Sequence, residues 1–342
     1  MEKYPSLILL VSKPFGITSF KFTEQVKRVM KAKKAGHTGT LDPMATGLMV
    51  IALNDATRFI PYLNTDTKEY IIQVRFGVET DTGDISGEPV RKSEKIPSAS
   101  EIQEKIPAFL GEIEQIPPVF SAKKVNGTPM YKLIRSGEKV EAKPAKVKIY
   151  EIEVKSYKKL HNEGNLVLRV LCSKGTYMRA LARDLGRALR SAATLSAICR
   201  TKVGRFSIKD ATYISCLKAG KTKGIVPLKD ALDFPVLQLR ETGAVKAGGV
   251  KWGGVNTGAV NAGAVNAGVQ KSPVEAFLNG MNLPVGHISV IDEQGHFLGV
   301  ARIVSETVKP EKVRPAKNIY GDKSSKGSGG KRSGGVKSGG VK

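Results

Sequence analysis

Between Gly36 and Leu53 the chain reads GHTGTLDPMATGLMVIAL, a glycine-rich polar loop that runs directly into an unbroken apolar segment. The run Leu48–Leu53 has to be buried and reads as an interior strand. A buried strand holds the loop in place while its polar residues stay accessible, which is where chains place reactive groups. The loop carries one histidine, His37, and one carboxylate, Asp42, with no other acid within ten residues on either side. That isolation argues against a two-carboxylate hydrolase site or a metal cage, both of which need clustered acids. On local chemistry alone, Asp42-Pro43 reads as a helix start, with Asp42 as the N-cap and Pro43 at the first helical position. Such a cap would also hold a reactive carboxylate rigid.

The rest of the pattern mixes strands and helices without regular alternation. Residues 6–12 read as a strand, and Ser19 to Met30 as an amphipathic helix with basic residues outward. The segment KKAGHTG is expected to be loop. KEYIIQVRFGV (68–78) alternates around Tyr70, Ile72 and Val74 as a strand, and DTGDISGEP (81–89) has turn chemistry. Ser98–Leu110 reads as a short helix capped by Ser98 or Ser100 and ended by Gly111. Val147–Tyr157 and Asn165–Cys172 read as paired strands joined through HNEGN, and Arg179–Leu189 as a helix. This order favours an α+β fold with a mixed, largely antiparallel sheet and flanking helices over a doubly wound parallel sheet.

With 55 Lys and Arg against 31 Asp and Glu, the formal charge is +24. That excess favours a polyanionic partner reached by fast, salt-sensitive association. No apolar run is long enough to span a bilayer, and SLILLV near the start is too brief for a signal-peptide core. The three cysteines, Cys172, Cys199 and Cys216, have neither disulfide nor metal spacing, so reduced thiols in a cytoplasm are expected. Nothing in the sequence calls for a metal or an organic cofactor.

The string GHTGTLDPMATGLM resembles the catalytic loop of the TruB family of pseudouridine synthases, which convert one uridine of the tRNA T-loop to pseudouridine. The resemblance places Asp42 at the family's catalytic aspartate. Further segments follow in the same order. VSKPFGITSF (11–20) is similar to the first family motif, with Lys13 and Pro14 supporting the active-site floor; alone it is an ordinary strand-ending turn. KEY (68–70) puts Tyr70 at the tyrosine that stacks on the target base and has been assigned proton transfer, though a core aromatic is the commoner use of such a residue. CSKGTYMRALARDLG (172–186) carries Tyr177, and Arg179, which the resemblance pairs with Asp42. PPVFSAKKVNGTPMYKLIRSG (117–137) is similar to a thumb-like loop over the tRNA arm, with Lys123, Lys124, Lys132 and Arg135 meeting phosphates. SAICRTKVGRFS (196–207) departs from the family: Ile198 stands where leucine is common, and Cys199 replaces an arginine. His37 matches the histidine that enters the RNA where the flipped base was, a plug that base flipping calls for.

The implied domains are a catalytic domain at 1–235 containing the thumb at 117–148, a small β-rich PUA-like RNA-binding domain at 236–312, and a basic tail at 313–342. The small domain is interrupted at 243–269 by pentapeptides, GAVKA GGVKW GGVNT GAVNA GAVNA, whose Gly and Ala bury too little to offset chain ordering. An unstructured insert is therefore expected. The resemblance implies a monomeric enzyme acting on uridine 55 of tRNA without cofactor, guide RNA, protein partner or membrane. A guide-RNA-dependent relative and a non-catalytic tRNA chaperone are the competing readings. An intact acid beside Tyr70 and Arg179 is of no use to the second.

Overall fold

The computed structural model describes residues 6–118, 143–221 and 223–234, together with strand segments at 124–125, 128–129, 236–238, 250–252, 255–257, 287–291, 296–304 and 307–313. The chain divides into two units after Asp233.

Apolar alternation builds the first unit around one mixed sheet. Its strands are β1 (Leu7–Lys13), β2 (Ala35–His37), β3 (Thr46–Leu53), β4 (Thr67–Phe76), β5 (Gly111–Gln115), β6 (Ala145–Ser156), β7 (Asn165–Ser173), β8 (Ala193–Val203), β9 (Phe206–Ser207) and β10 (Ile225–Pro227). They run in the order β10-β1-β3-β8-β4-β7-β6-β5, with β2 beside β3 and β9 beside β8. Every pairing is antiparallel except that of β3 with β8. Along β4 the side chains of Tyr70, Ile72, Val74 and Phe76 are buried in alternation, and Gly77, at φ +95°, turns the chain out of the strand. β1 and β3 are buried almost throughout, as strands in the middle of a covered sheet must be.

Among the described residues, three α-helices of seven or more residues flank this sheet. α1 (Ser19–Val29) starts where the Thr18 side chain accepts from the Lys21 amide, and it buries Phe22 and Val26. α2 (Ala99–Lys105) opens with a capping box between Ser98 and Glu101. It gives way to a 3-10 turn, Ile106–Phe109, so the α-helix is shorter than the Ser98–Leu110 read from sequence; Pro107 lacks the amide an α-helix would use there. α3 (Met178–Ala188) buries Met178, Leu181 and Leu185.

Two further expectations need correction. Asp42-Pro43 begins no helix: Asp42 to Ala45 form a β-turn closed by the Ala45 amide donating to the Asp42 carbonyl at 3.0 Å. Proline suits the second position of such a turn as well as it suits a helix start, and the β3 strand that follows decides between them. The segment before the turn is not all loop either, because β2 pairs antiparallel with β3, setting His37 opposite Ile51.

The second unit holds a sheet of Val236–Gln238, His287–Ile291, Phe297–Val304 and Thr307–Val313, the first pair parallel and the others antiparallel. Within the pentapeptide region, Val250–Trp252 pairs with Val255–Thr257 as a two-stranded antiparallel ladder. The remainder of the expected insert, and most of the tail, lie outside the described residues.

A close junction in the sheet is the parallel contact of β3 with β8, where Gly47 faces Arg200. Gly47 has φ +104°, and a Cβ there would overlap the Arg200 carbonyl oxygen and stand 2.6 Å from the Arg200 amide nitrogen. Gly47→Ala therefore meets both backbone strain and a backbone clash. We expect it to lower unfolding free energy by more than about 2 kcal/mol in a chemical denaturation experiment. A shift under about 0.5 kcal/mol would show that the strands separate easily.

Candidate active site

The turn that carries Asp42 is held by side chains from three separate elements. Lys13, at the end of β1, is fully buried, and its Nζ donates to the carbonyls of Pro14 (2.9 Å), Ile17 (2.7 Å) and Pro43 (3.2 Å). Ser19, at the start of α1, grips Leu41 twice: its Oγ donates to the Leu41 carbonyl at 2.9 Å and accepts from the Leu41 amide at 2.7 Å. Arg200 on β8 is buried and reaches across the sheet, donating from Nε to the Leu48 carbonyl (2.8 Å), from Nη2 to Gly39 (3.1 Å) and from Nη1 to Thr40 (3.4 Å). The residues on both sides of Asp42 are thus fixed through their backbones, and the Asp42 side chain is left half-exposed.

Its partner is Arg179, in the first turn of α3. Arg179 Nε lies 3.0 Å from Asp42 Oδ2, with the arginine side chain 5% exposed and the aspartate side chain 42% exposed. Arg179 Nη1 also donates to the Thr82 carbonyl at 3.0 Å and stands 3.7 Å from Asp84 Oδ2. The guanidinium therefore sits between two carboxylates. Burial raises the Asp42 pKa above the ordinary aspartate value, Arg179 opposes that rise, Asp84 adds to it, and Lys13 opposes it. Asp84 is buried in the 81–89 turn, where its Oδ1 accepts from Thr82 Oγ1 at 3.0 Å and from the Ser86 amide at 3.0 Å.

Tyr70 stands directly opposite Arg200 in the register of β4 with β8. Burial pushes its phenol up to about 12, against the pull of the neighbouring Arg200. Arg200 is thus flanked by Tyr70 on one strand and Gly47 on the other. Burial, and next the charge of Arg200, lower the pKa of His37, so the ring favours its neutral form; its Nδ1 has no hydrogen-bond partner among the described residues. Tyr177 is the residue before α3, and its backbone is clasped by the buried Gln115, whose Oε1 accepts from the Tyr177 amide at 2.9 Å. Ile198 packs against the core edge, and its carbonyl accepts from Thr46 Oγ1 at 3.3 Å. Cys199 pairs with Thr46 across the β3–β8 junction.

Asp42, Arg179 and Lys13 thus gather at one turn, and Tyr70 and His37 are tied to it through Arg200. Of the expected thumb residues, Lys123, Lys132 and Arg135 lie outside the described residues. Lys124 lies in a two-residue strand paired with Thr128–Pro129. Sequence reading missed Arg200, Asp84 and Gln115. Arg200 was visible as the arginine that follows the Cys199 departure; the other two carry no local signal, since one sits in ordinary turn chemistry and the other ends a strand.

The arrangement offers one half-exposed carboxylate paired with a buried guanidinium, with a protonated phenol nearby on β4 and an imidazole that favours its neutral form on β2. Among the described residues no group of three or more His, Cys, Asp or Glu is placed to hold a metal ion, and no helix is long and apolar enough to cross a membrane.

Residues 27–178 match the family described as TruB family pseudouridylate synthase, N-terminal domain. The chain is 45% identical over 213 residues to tRNA pseudouridine synthase B of Francisella tularensis subsp. tularensis, covering 62% of this chain and 69% of that protein. It is 35% identical over 308 residues to tRNA pseudouridine synthase B of Caldanaerobacter subterraneus subsp. tengcongensis, covering 90% and 98%. In fold it is similar to a chain of an H/ACA RNP bound to a substrate RNA containing 2′-deoxyuridine, with TM-score 0.59, 19% identity, and coverage of 92% and 86%. A chain of a Cbf5-Nop10-Gar1 complex gives TM-score 0.58 at 21% identity, again covering 92% and 86%.

Burial lowers the Lys13 pKa to about 8 from 10.5, with Asp42 opposing the shift. Between those values the unfolded chain binds a proton that the folded chain does not, so this group makes stability rise with pH across that window. We expect the unfolding free energy of the native chain, relative to Lys13→Met, to gain on the order of 2–3 kcal/mol from pH 8 to pH 10.5. A constant difference between the two proteins would show that Lys13 keeps its ordinary pKa.

Proposed function

Because the chain belongs to the TruB family of pseudouridylate synthases, we propose that it isomerises uridine to pseudouridine in tRNA, at uridine 55 of the T-loop, as a stand-alone enzyme without guide RNA. The observation that carries this reading is the Asp42 carboxylate, 42% exposed and ion-paired at 3.0 Å to a buried guanidinium. The reaction breaks the N1–C1′ bond of the nucleoside and forms a C5–C1′ bond, while C5 loses a proton and N1 ends with one. No atoms or electrons are gained, so the product is an isomer. Charge develops at the sugar as the glycosidic bond breaks, and a preorganised carboxylate is suited to meet it. In this scheme Asp42 works at the sugar, and Arg179 keeps it ionised and aimed.

Tyr70 acts as a protonated phenol and a wall for the base, because burial holds its pKa at about 12. A base inside a folded T-loop must leave its stack to reach Asp42, and we assign His37 to the space it vacates. Lys13 supports the floor through the Pro43 carbonyl. Tyr177 and Ile198 line the approach, and Lys123, Lys124, Lys132 and Arg135 meet phosphates. The charge of +24 suits an RNA substrate. We further propose that the protein works as a cytoplasmic monomer.

The test is incubation of purified protein with an unmodified tRNA transcript and no guide RNA, followed by pseudouridine mapping. Asp42→Asn has nearly the native shape but neither charge nor basicity, and it should abolish product while leaving tRNA affinity within about tenfold. Substantial turnover by that variant would remove Asp42 from the chemistry. Arg179→Lys keeps a charge but loses the planar fork, and it should reduce kcat by at least about tenfold. Equal turnover with lysine would mean that the pairing does not position the acid.

A further inference from the structure

Among the large apolar side chains of the described residues, Phe20 and Phe15 are the two most exposed, at 72% and 67%. A single exposed phenylalanine is unremarkable on a protein surface. These two are distinguished by their attachment. Phe15 precedes Gly16, whose amide donates to the Pro43 carbonyl at 2.8 Å. Phe20 follows Ser19, whose hydroxyl holds both the amide and the carbonyl of Leu41. The two rings therefore spring from positions next to residues clamped to Pro43 and Leu41, the immediate neighbours of Asp42. Their exposure is also built in by the local fold. Phe20 lies on the outer side of α1, opposite the buried Phe22 and Val26, and Phe15 lies in the exposed Pro14–Gly16 turn.

The surroundings decide what such rings are for. From Phe15 to Lys34 the chain carries six basic residues, Lys21, Lys27, Arg28, Lys31, Lys33 and Lys34, against the single acid Glu24. Lys21, Arg28, Lys31, Lys33 and Lys34 are exposed. A protein partner would ask for a contiguous apolar patch, whereas here the rings are set among glycine, threonine and lysine. Exposed aromatics interleaved with cations are the composition of a stacking surface for unpaired bases, the cations taking the phosphates. We propose that Phe15 and Phe20 are binding residues that stack on unpaired nucleotides flanking the target uridine, on the rim of the Asp42 turn. The proposal rests on the reading of the chain as an RNA-modifying enzyme and adds a substrate contact to it. The uridine itself goes to Asp42, and the rings take its neighbours.

The experiment compares Phe15→Ala, Phe20→Ala, the double variant, and Phe15→Tyr with Phe20→Tyr. The probe is an unmodified T-arm stem-loop, with Kd measured across a salt series and single-turnover rates measured at saturating protein. Each alanine variant should raise Kd about fivefold or more, and the double variant more still. The saturated rate should stay within about twofold, the salt slope should not change because no phosphate contact is removed, and tyrosine should restore affinity. A double variant whose Kd stays within about twofold of the native value overturns the proposal, and so does a loss that tyrosine fails to repair. Product mapping with the native chain is a separate arm. Failure to form pseudouridine there would sink the functional reading, while the Kd series still decides whether the rings contact RNA.

Discussion

An aspartate on a four-residue turn has nothing in the turn itself to fix its charge or its direction. The Arg179 guanidinium, 3.0 Å away on a different element, supplies both. Two effects of opposite sign meet at that carboxylate. Partial enclosure disfavours the ion, and the guanidinium favours it. Arg179 does not give its whole charge to Asp42, because Asp84 stands 3.7 Å from the same guanidinium and the Thr82 carbonyl takes one of its protons. The shared cation explains why enclosure prevails by direction and the Asp42 pKa ends above the ordinary value. Arg179 thus draws Asp42 toward the ionised form, while enclosure and Asp84 leave it less stabilised than a fully paired carboxylate.

The turn depends on two more buried cations, and these bind backbone rather than acids. Lys13 and Arg200 together donate to six loop and strand carbonyls, those of Pro14, Ile17, Pro43, Gly39, Thr40 and Leu48. Burying charge without a counter-ion is unfavourable, and well-packed apolar residues of similar size would often be more stable. Carbonyl dipoles offset part of that cost, and the geometry they enforce sets where Asp42 sits. The chain accepts local instability to hold a short irregular segment in one conformation, as functional sites commonly do. Gly47 is the backbone counterpart, since only a residue without a Cβ lets β3 approach Arg200 closely enough for the contacts to form.

Much of this was legible in the sequence, for reasons that differ by residue. Alternation in β4 and the apolar run of β3 placed Tyr70 and Leu48 inside, because burial repeats with the period of the strand. The string around Asp42 marked the turn as a candidate site, but its local chemistry suggested a helix start, and the strand that follows overrode that preference. Asp84 and Gln115 were hidden because their partners, Arg179 and Tyr177, are distant in sequence and meet them only through tertiary packing. The Gly47–Arg200 junction was hidden for a related reason. It belongs to the one parallel pairing in the sheet, and parallel register has no hairpin turn to announce it.

Asp42 is a half-exposed carboxylate that Arg179 draws toward the ionised form and Asp84 draws away from it. Carboxyl-carbon NMR titration of the aspartates tests this balance directly in the native chain, in Arg179→Gln and in Asp84→Asn. Asp42 should titrate above the ordinary aspartate range in the native chain, higher still in Arg179→Gln, and lower in Asp84→Asn. An Asp42 resonance that titrates as an ordinary exposed aspartate and ignores both substitutions would contradict it.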